Sequence, residues 1–232
     1  MGRHIFLSVL GFSVLAVIIG VFVMPGKTPR AVHLPWQITV TEEGNLRVLG
    51  VELGRTTLGG AELAFGEPAE VSLFSEEGER MVEAYFDQVD ISGLRAKIVV
   101  VIPLSDEVVE AMYERGVRVA NMGGGRRKVT LADADLAQLK QMPIGSMTYI
   151  PRANLDAELV SRRFGEPAER IGEPEGKTVH WLYPEKGLDI ALNPEETEVL
   201  QYVRPEEFAR ISAPLKALAK EGQDDSGELT EE

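Results

Sequence analysis

His180 is the residue best suited to acid–base work, because His4 and His33 flank an apolar N-terminal stretch. A Ser-His-Asp arrangement would need it as the base. The chain has no G-x-S-x-G turn to present a serine, and Gly145-Ser146-Met147 does not supply one. His180 sits in the run Thr178–Tyr183, whose alternation reads as a strand, so it is expected as a sheet residue. The run Gly123-Gly124-Gly125-Arg126-Arg127-Lys128 invites comparison with a phosphate-binding loop. That loop requires G-x-x-x-x-G-K-[ST] between a strand and a helix, and neither the spacing nor the following element fits. Arg126, Arg127 and Lys128 are expected at a hairpin tip, where they could meet an acidic partner. Asp133-Ala134-Asp135 could be taken for metal ligands, but no histidine pair accompanies it. It reads as the acidic first turn of a helix. With no cysteine, thiolate metal sites, cysteine nucleophiles, disulfides and a lipid-modified cysteine are excluded. No catalytic residue, metal, cofactor or small-molecule ligand is expected.

Charge narrows the partners. The chain of 232 residues has a formal net charge of -13, yet residues 1–35 hold Arg3, Lys27 and Arg30 and no acid. The acidity therefore lies beyond residue 35, which disfavours nucleic acid, since binding it needs a basic footprint. Anionic headgroups would repel the same region.

The 20 residues Ile5–Met24 carry no charge. About 20 apolar residues span the ~30 Å hydrocarbon core of a bilayer. The stretch is longer than the ~7–15-residue core of a cleaved signal peptide, and Val23-Met24-Pro25 is a poor cleavage site. Residues 1–24 are read as an uncleaved transmembrane anchor, and residues 25–35, with three prolines, as a stiff linker. The flanking positive charges nearly balance, and the very short N-tail favours a cytoplasmic N-terminus with the rest exported. Residues 220–232, with six acids and one large apolar residue, are expected to form a disordered acidic tail.

The elements between can be placed from periodicity and turn chemistry. Strands are expected at Trp36–Thr41, Leu46–Leu53, Glu70–Ser75, Met81–Val89 and Leu94–Ile102, the last central because both faces are apolar. Val117–Met122 and Lys128–Leu131 flank the three glycines as a hairpin. Further strands are expected at Ser146–Ile150, Ala168–Ile171, Thr178–Tyr183, Leu188–Leu192 and Val199–Val203. Helices are expected after Thr56 or Thr57 and running to Phe65, at Asp106–Arg115 behind Ser105, and at Ala132–Lys140. Two more follow, Leu155–Phe164 capped by Asn154, and Glu206 to about Ser212, with Pro205 at its first position and Pro214 kinking or restarting it. Trp181, Tyr183 and Tyr202 fall in strands, as core residues or as an exposed aromatic face; both remain open.

One segment occurs twice. Phe65-Gly66-Glu67-Pro68-Ala69-Glu70 recurs letter for letter as Phe164-Gly165-Glu166-Pro167-Ala168-Glu169. In each copy a phenylalanine closes a short helix, a glycine takes the left-handed position after it, and a proline forbids continuation. Elements on either side match in order, which favours duplication over convergence on shared turn chemistry. The expected fold class is α+β: a transmembrane helix and two tandem helix-plus-antiparallel-sheet repeats, residues 36–142 with an extra hairpin and helices, and residues 143–219.

The segments Leu155–Pro167, His180-Trp181-Leu182-Tyr183-Pro184 and Gly187-Leu188-Asp189-Ile190 resemble the small lipoprotein of the outer-membrane β-barrel assembly machinery. Thr57–Pro68 matches in the first half, and the tandem arrangement is similar to that of β-lactamase inhibitory proteins. The resemblance implies a fold and a protein-binding habit, and it brings no catalytic residues. The lipidated cysteine of the assembly lipoprotein is absent here. The expected function is that of a non-catalytic protein of the inner membrane, its globular region in the periplasm, binding another envelope protein. A membrane-surface hydrolase is the alternative.

Overall fold

A computed structural model describes residues 33–174 and 176–228, with side chains to residue 220. The expected anchor and most of the linker lie outside the described residues. Within them, no helix is long and apolar enough to cross a membrane. The described residues form a mixed α+β fold with two sheets and five α-helices.

The smaller sheet comprises β1 (Thr39–Val40), β2 (Leu46–Val48) and β3 (Val51–Glu52), antiparallel in that order. The single strand expected over Leu46–Leu53 is two, because Leu49 and Gly50 both adopt positive φ, 52° and 84°. Two such residues make a tight hairpin turn whose twist matches its strands. Leu46, Val48, Val51 and Leu53 are driven into the core.

The larger sheet has ten strands in the order β10-β11-β12-β13-β9-β6-β5-β4-β8-β7. Its first half is a meander of β4 (Glu70–Glu76), β5 (Glu79–Ile91) and β6 (Leu94–Ile102). It is preceded by helix α1 (Leu58–Phe65) and followed by α2 (Asp106–Glu114). The hairpin β7 (Arg118–Gly123) and β8 (Arg126–Thr130) adds to the outer side of β4. Helix α3 (Asp133–Leu139) leads into β9 (Ser146–Pro151). The second half is α4 (Ala157–Phe164), then β10 (Glu169–Gly172), β11 (Val179–Tyr183), β12 (Leu188–Leu192) and β13 (Val199–Tyr202). Strand β9 joins the halves, antiparallel to β6 on one side and to β13 on the other.

Strand β6 buries Ala96, Ile98, Val100 and Ile102 on one face, as alternation predicts. Strand β5 buries Val82, Ala84 and Phe86, then Val89 and Ile91. The change of phase is a bulge between Phe86 and Val89 that keeps both sets on the core face. Its loose N–H groups are taken up by Glu67, whose carboxylate accepts from the Asp87 and Gln88 amides at 3.3 and 2.9 Å.

In the second half both faces are covered. Trp181, Tyr183, Leu188 and Ile190 join the main core. Ile171, Leu182 and Val203 form a second cluster with Phe208 on the last helix, α5 (Phe208–Glu228). The expected extent is Glu206 to about Ser212, with Pro214 kinking or restarting the helix. Its backbone runs through Pro214 without a break as far as Glu228. Proline in a helix interior costs ~3 kcal/mol or more. Ile211, Leu215 and Ala219 pack on the cluster from both sides of the proline and offset that cost.

Candidate functional site

The basic run begins directly after the hairpin turn, where Arg126 pairs with Gly123, and leads away from the tip along β8. The turn is made by Gly124 and Gly125, at φ 58° and 83°, and Arg126–Lys128 belong to β8. Each cation has a contact inside the fold. The Arg126 guanidinium lies 4.6 Å from the Phe74 ring centroid and 3.9 Å from Glu76. Arg127 donates to the Tyr113 hydroxyl at 3.3 Å, and Lys128 pairs with Glu70 at 2.7 Å. The neighbouring strand β7 is different. Val119 and Met122, with Val117 just before it, are exposed. Among the described residues β7 pairs only with β8, so its other edge presents free backbone groups. The opposite edge, β10, packs against α5, and Lys216 of that helix pairs with Glu169 at 2.6 Å.

The repeated motif is built similarly twice. Thr57 caps α1 by accepting from the Gly60 amide, and Asp156, rather than the expected Asn154, caps α4 by accepting from Leu159. Phe65 and Phe164 are both buried. Phe65 meets Phe86 of β5 edge-on at 5.1 Å, while Phe164 meets Tyr183 of β11 at 6.4 Å and Trp36 at 6.3 Å. Gly66 and Gly165 both have positive φ, 72° and 83°. Their ψ angles differ, 20° against -175°, so Gly66 is left-handed, whereas Gly165 takes the positive-φ, ψ-near-180° conformation open essentially to glycine alone. In the second copy the Tyr183 hydroxyl donates to the Gly165 carbonyl at 2.9 Å, and Lys186 donates to that of Phe164. Pro68 is exposed and Pro167 half-buried, each just beyond the glycine. The two glutamates also diverge. Glu67 holds the β5 bulge, whereas Glu166 accepts from Ser161 and Arg170 next to its own helix.

His180 is a sheet residue, as expected, but it has company. Its Nδ1 lies 2.8 Å from Asp189 Oδ2 on β12, and its Nε2 lies 3.2 Å from Glu173 Oε1 in the loop after β10. His180 and Asp189 are both buried, on the face that carries Leu182. Burial pulls the imidazolium pKa down, but hydrogen bonds and charge from Asp189 and Glu173 outweigh it and lift it above the ordinary 6.5. With both ring nitrogens held by carboxylates, no nitrogen is left to take a proton from a nucleophile. The chemistry of this group is that of an internal ion pair. Asp135, expected only to favour its helix dipole, is likewise buried and paired, with Arg115 at 2.6 Å.

A pocket of about 430 Å³ lies where the start of β6, the end of β9 and α4 meet the segment entering from Pro35. Trp36, Leu94, Tyr149, Leu155, Leu159 and Phe164 contribute to its wall, and Arg95, Arg152 and Arg163 also line it. Burial lifts the Tyr149 hydroxyl pKa to about 12, so it stays a proton donor at any physiological pH. Neither this pocket nor the partners of His180 were visible in the sequence. The three arginines come from separate segments with no common spacing. The histidine's partner, two residues past the Gly187 turn, carries no signal beyond a polar residue in an apolar strand.

No protein-family model matches the chain, and no curated protein matches it. Among solved structures it is similar to the crystal structure of a DUF4309 family protein, YjgB, from Bacillus subtilis subsp. subtilis str. 168. Identity is 12%, the match covers 69% of this chain and 88% of that one, and the TM-score is 0.35. A likeness at that level carries no argument about fold, ligand or partner.

Proposed function

We propose that this is a membrane-anchored, non-catalytic domain that binds another envelope protein by strand addition along β7. The reading is carried by an edge strand that pairs with nothing but β8 among the described residues and bears exposed Val119 and Met122, with exposed Val117 just before it, in a sheet whose other edge packs against a helix. A bare apolar edge is an aggregation hazard that proteins usually blunt, so one left open suits a partner that completes the sheet. The protein-binding habit implied by the resemblance to inhibitory proteins supports the same reading. The basic residues of β8 are secondary, because their contacts with Glu70, Phe74, Glu76 and Tyr113 would have to be shared or broken.

A photoreactive amino acid at Val119 or Met122 of the full chain should give a discrete heavier adduct in intact cells. The adduct formed from a probe at Val117 should disappear when Val119→Lys and Met122→Lys place charge on the strand. The same probe at Leu63, exposed on α1, is the control. Equal adducts from Leu63, or none from β7, would sink the edge reading.

The anchor is part of the proposal. Ile5–Met24 would span the inner membrane with the N-terminus in the cytoplasm. A reporter active only outside the cytoplasm, fused after Glu232, should then be active. Activity from a cytoplasm-only reporter at the same position would reverse the orientation.

The two halves are further proposed to be copies of one unit. In support, each has a capped short helix, a buried closing phenylalanine, a positive-φ glycine and an antiparallel meander in chain order. In each, the phenylalanine packs on an aromatic side chain of the second strand. The second copy has a fourth strand, and its glycine leaves the helix by a different ψ.

A further inference from the structure

The pocket beside Trp36 has an unusual charge. The chain has 37 Asp and Glu residues, yet the pocket lining has three arginines and no acid. Those arginines are poorly neutralised. Arg95 lies 3.9 Å from Asp90, a weak and exposed pair. Arg163 stacks over the Trp36 ring, 4.7 Å from its centroid. Among the described residues, no carboxylate lies within 4.0 Å of Arg152 or Arg163. Behind the guanidiniums the wall is aromatic and aliphatic.

We propose that this pocket binds a small amphiphilic anion: an apolar ring or chain ending in one carboxylate. The apolar body would lie against Trp36, Tyr149 and Phe164, and the carboxylate would be held by Arg152 and Arg163. The size fits, since about 430 Å³ falls in the ~300–1,000 Å³ range of small-molecule sites. A groove for a partner helix would be longer and more open. The field of an acidic domain repels anions generally, so an anion can be held only where acids are absent and cations are unspent. The geometry fits as well: a guanidinium offers paired N–H donors matched to a carboxylate, and an aromatic wall suits an apolar body. Tyr149 adds a neutral phenol at the same wall. The site departs from the expectation of no small-molecule ligand. It is also separate from the β7 edge, because three strands lie between β6 and β7 in the sheet.

The test uses the full chain in phosphatidylcholine nanodiscs, labelled with 5-fluorotryptophan. Trp36 and Trp181 are its two tryptophans, so fluorine NMR gives one resonance in the pocket and one outside it. The probes are 4-phenylbutyrate, its uncharged analogue 4-phenylbutanol, acetate and inorganic phosphate. The expected result is a saturable shift of the Trp36 resonance with 4-phenylbutyrate and no movement of Trp181. The alcohol, acetate and phosphate should each bind at least about tenfold more weakly, the loss expected when the charge or the apolar body is missing. Arg152→Gln and Arg163→Gln should each weaken 4-phenylbutyrate by a similar factor. An unmoved Trp181 resonance will show that the variants stay folded. Should Arg163→Gln disturb Trp36 itself, Arg152→Gln on its exposed loop carries the comparison. An absent Trp36 shift, an equal response to the alcohol, or unchanged binding in Arg152→Gln overturns the proposal. Preference for inorganic phosphate would overturn the carboxylate assignment and make the site one for phosphate groups.

Discussion

Replacing His180 with leucine should destabilise the folded region by roughly 3–5 kcal/mol, the cost of leaving a buried charge without its partner. Asp189 is only 4% exposed, its Oδ2 is held by His180, and its Oδ1 has no hydrogen-bond partner. Without the imidazolium it must sit uncompensated in the sheet or take up a proton. Denaturant unfolding of the region from residue 33 onward measures the loss. The double variant His180→Leu, Asp189→Leu should recover most of it, because two apolar side chains of similar bulk remove the charge altogether. A single-variant cost below about 1 kcal/mol would show that the pair is solvated and unimportant. The same pair fixes a pH dependence. The folded pKa of His180 lies above its unfolded value, so its contribution is fully present below about pH 6.5 and fades as pH rises through the folded pKa. The wild-type stability should fall over that window and the leucine variant should lack that component.

Phe164→Ala and Phe65→Ala should each cost about 3–5 kcal/mol, the usual range for truncating a core aromatic. Phe65 is 5% exposed and Phe164 4%, and each leaves a cavity between its helix and the second strand of its meander. Phe164 also supports Trp36, so its loss should abolish the response of the Trp36 resonance to 4-phenylbutyrate, while Phe65→Ala should leave it intact. Equilibrium unfolding and the fluorine spectrum together separate the two. If Phe65→Ala proves nearly neutral while Phe164→Ala is costly, the two motifs do not do the same work and the duplication loses its main support.

The long alternating runs are legible from period-2 alternation and the turn residues that bound them. Strands over Leu94–Ile102 and Leu188–Leu192 agree with their expected limits because turn residues bound them on both sides. The hairpin across the three glycines was legible for the same reason. What sequence reasoning missed was set by tertiary contacts. An apolar Leu49 in a turn hides the break between β2 and β3, since leucine at φ 52° is unusual. The β5 bulge depends on Glu67, far away in sequence. The length of α5 follows from its apolar stripe, whose value beyond a proline appears only once the second cluster is assembled. The arginine pocket draws on four segments, so no local pattern could announce it.

The position of β9 sets the order in which the domain can assemble. A chain delivered N-terminus first can pair β4, β5 and β6 as soon as each emerges, and β9 can then dock on β6. The outer edge of β9 must wait for β13, the last strand, because β10, β11 and β12 reach it only through that strand. Closure also stitches the two ends, as the Tyr202 hydroxyl donates to the Pro35 carbonyl at 3.0 Å. During synthesis the nascent chain therefore carries a further bare edge, lost only when β13 docks. Chains stalled or cut before Val199 should associate with one another and be cleared by proteases, whereas finished chains bury that edge against β13.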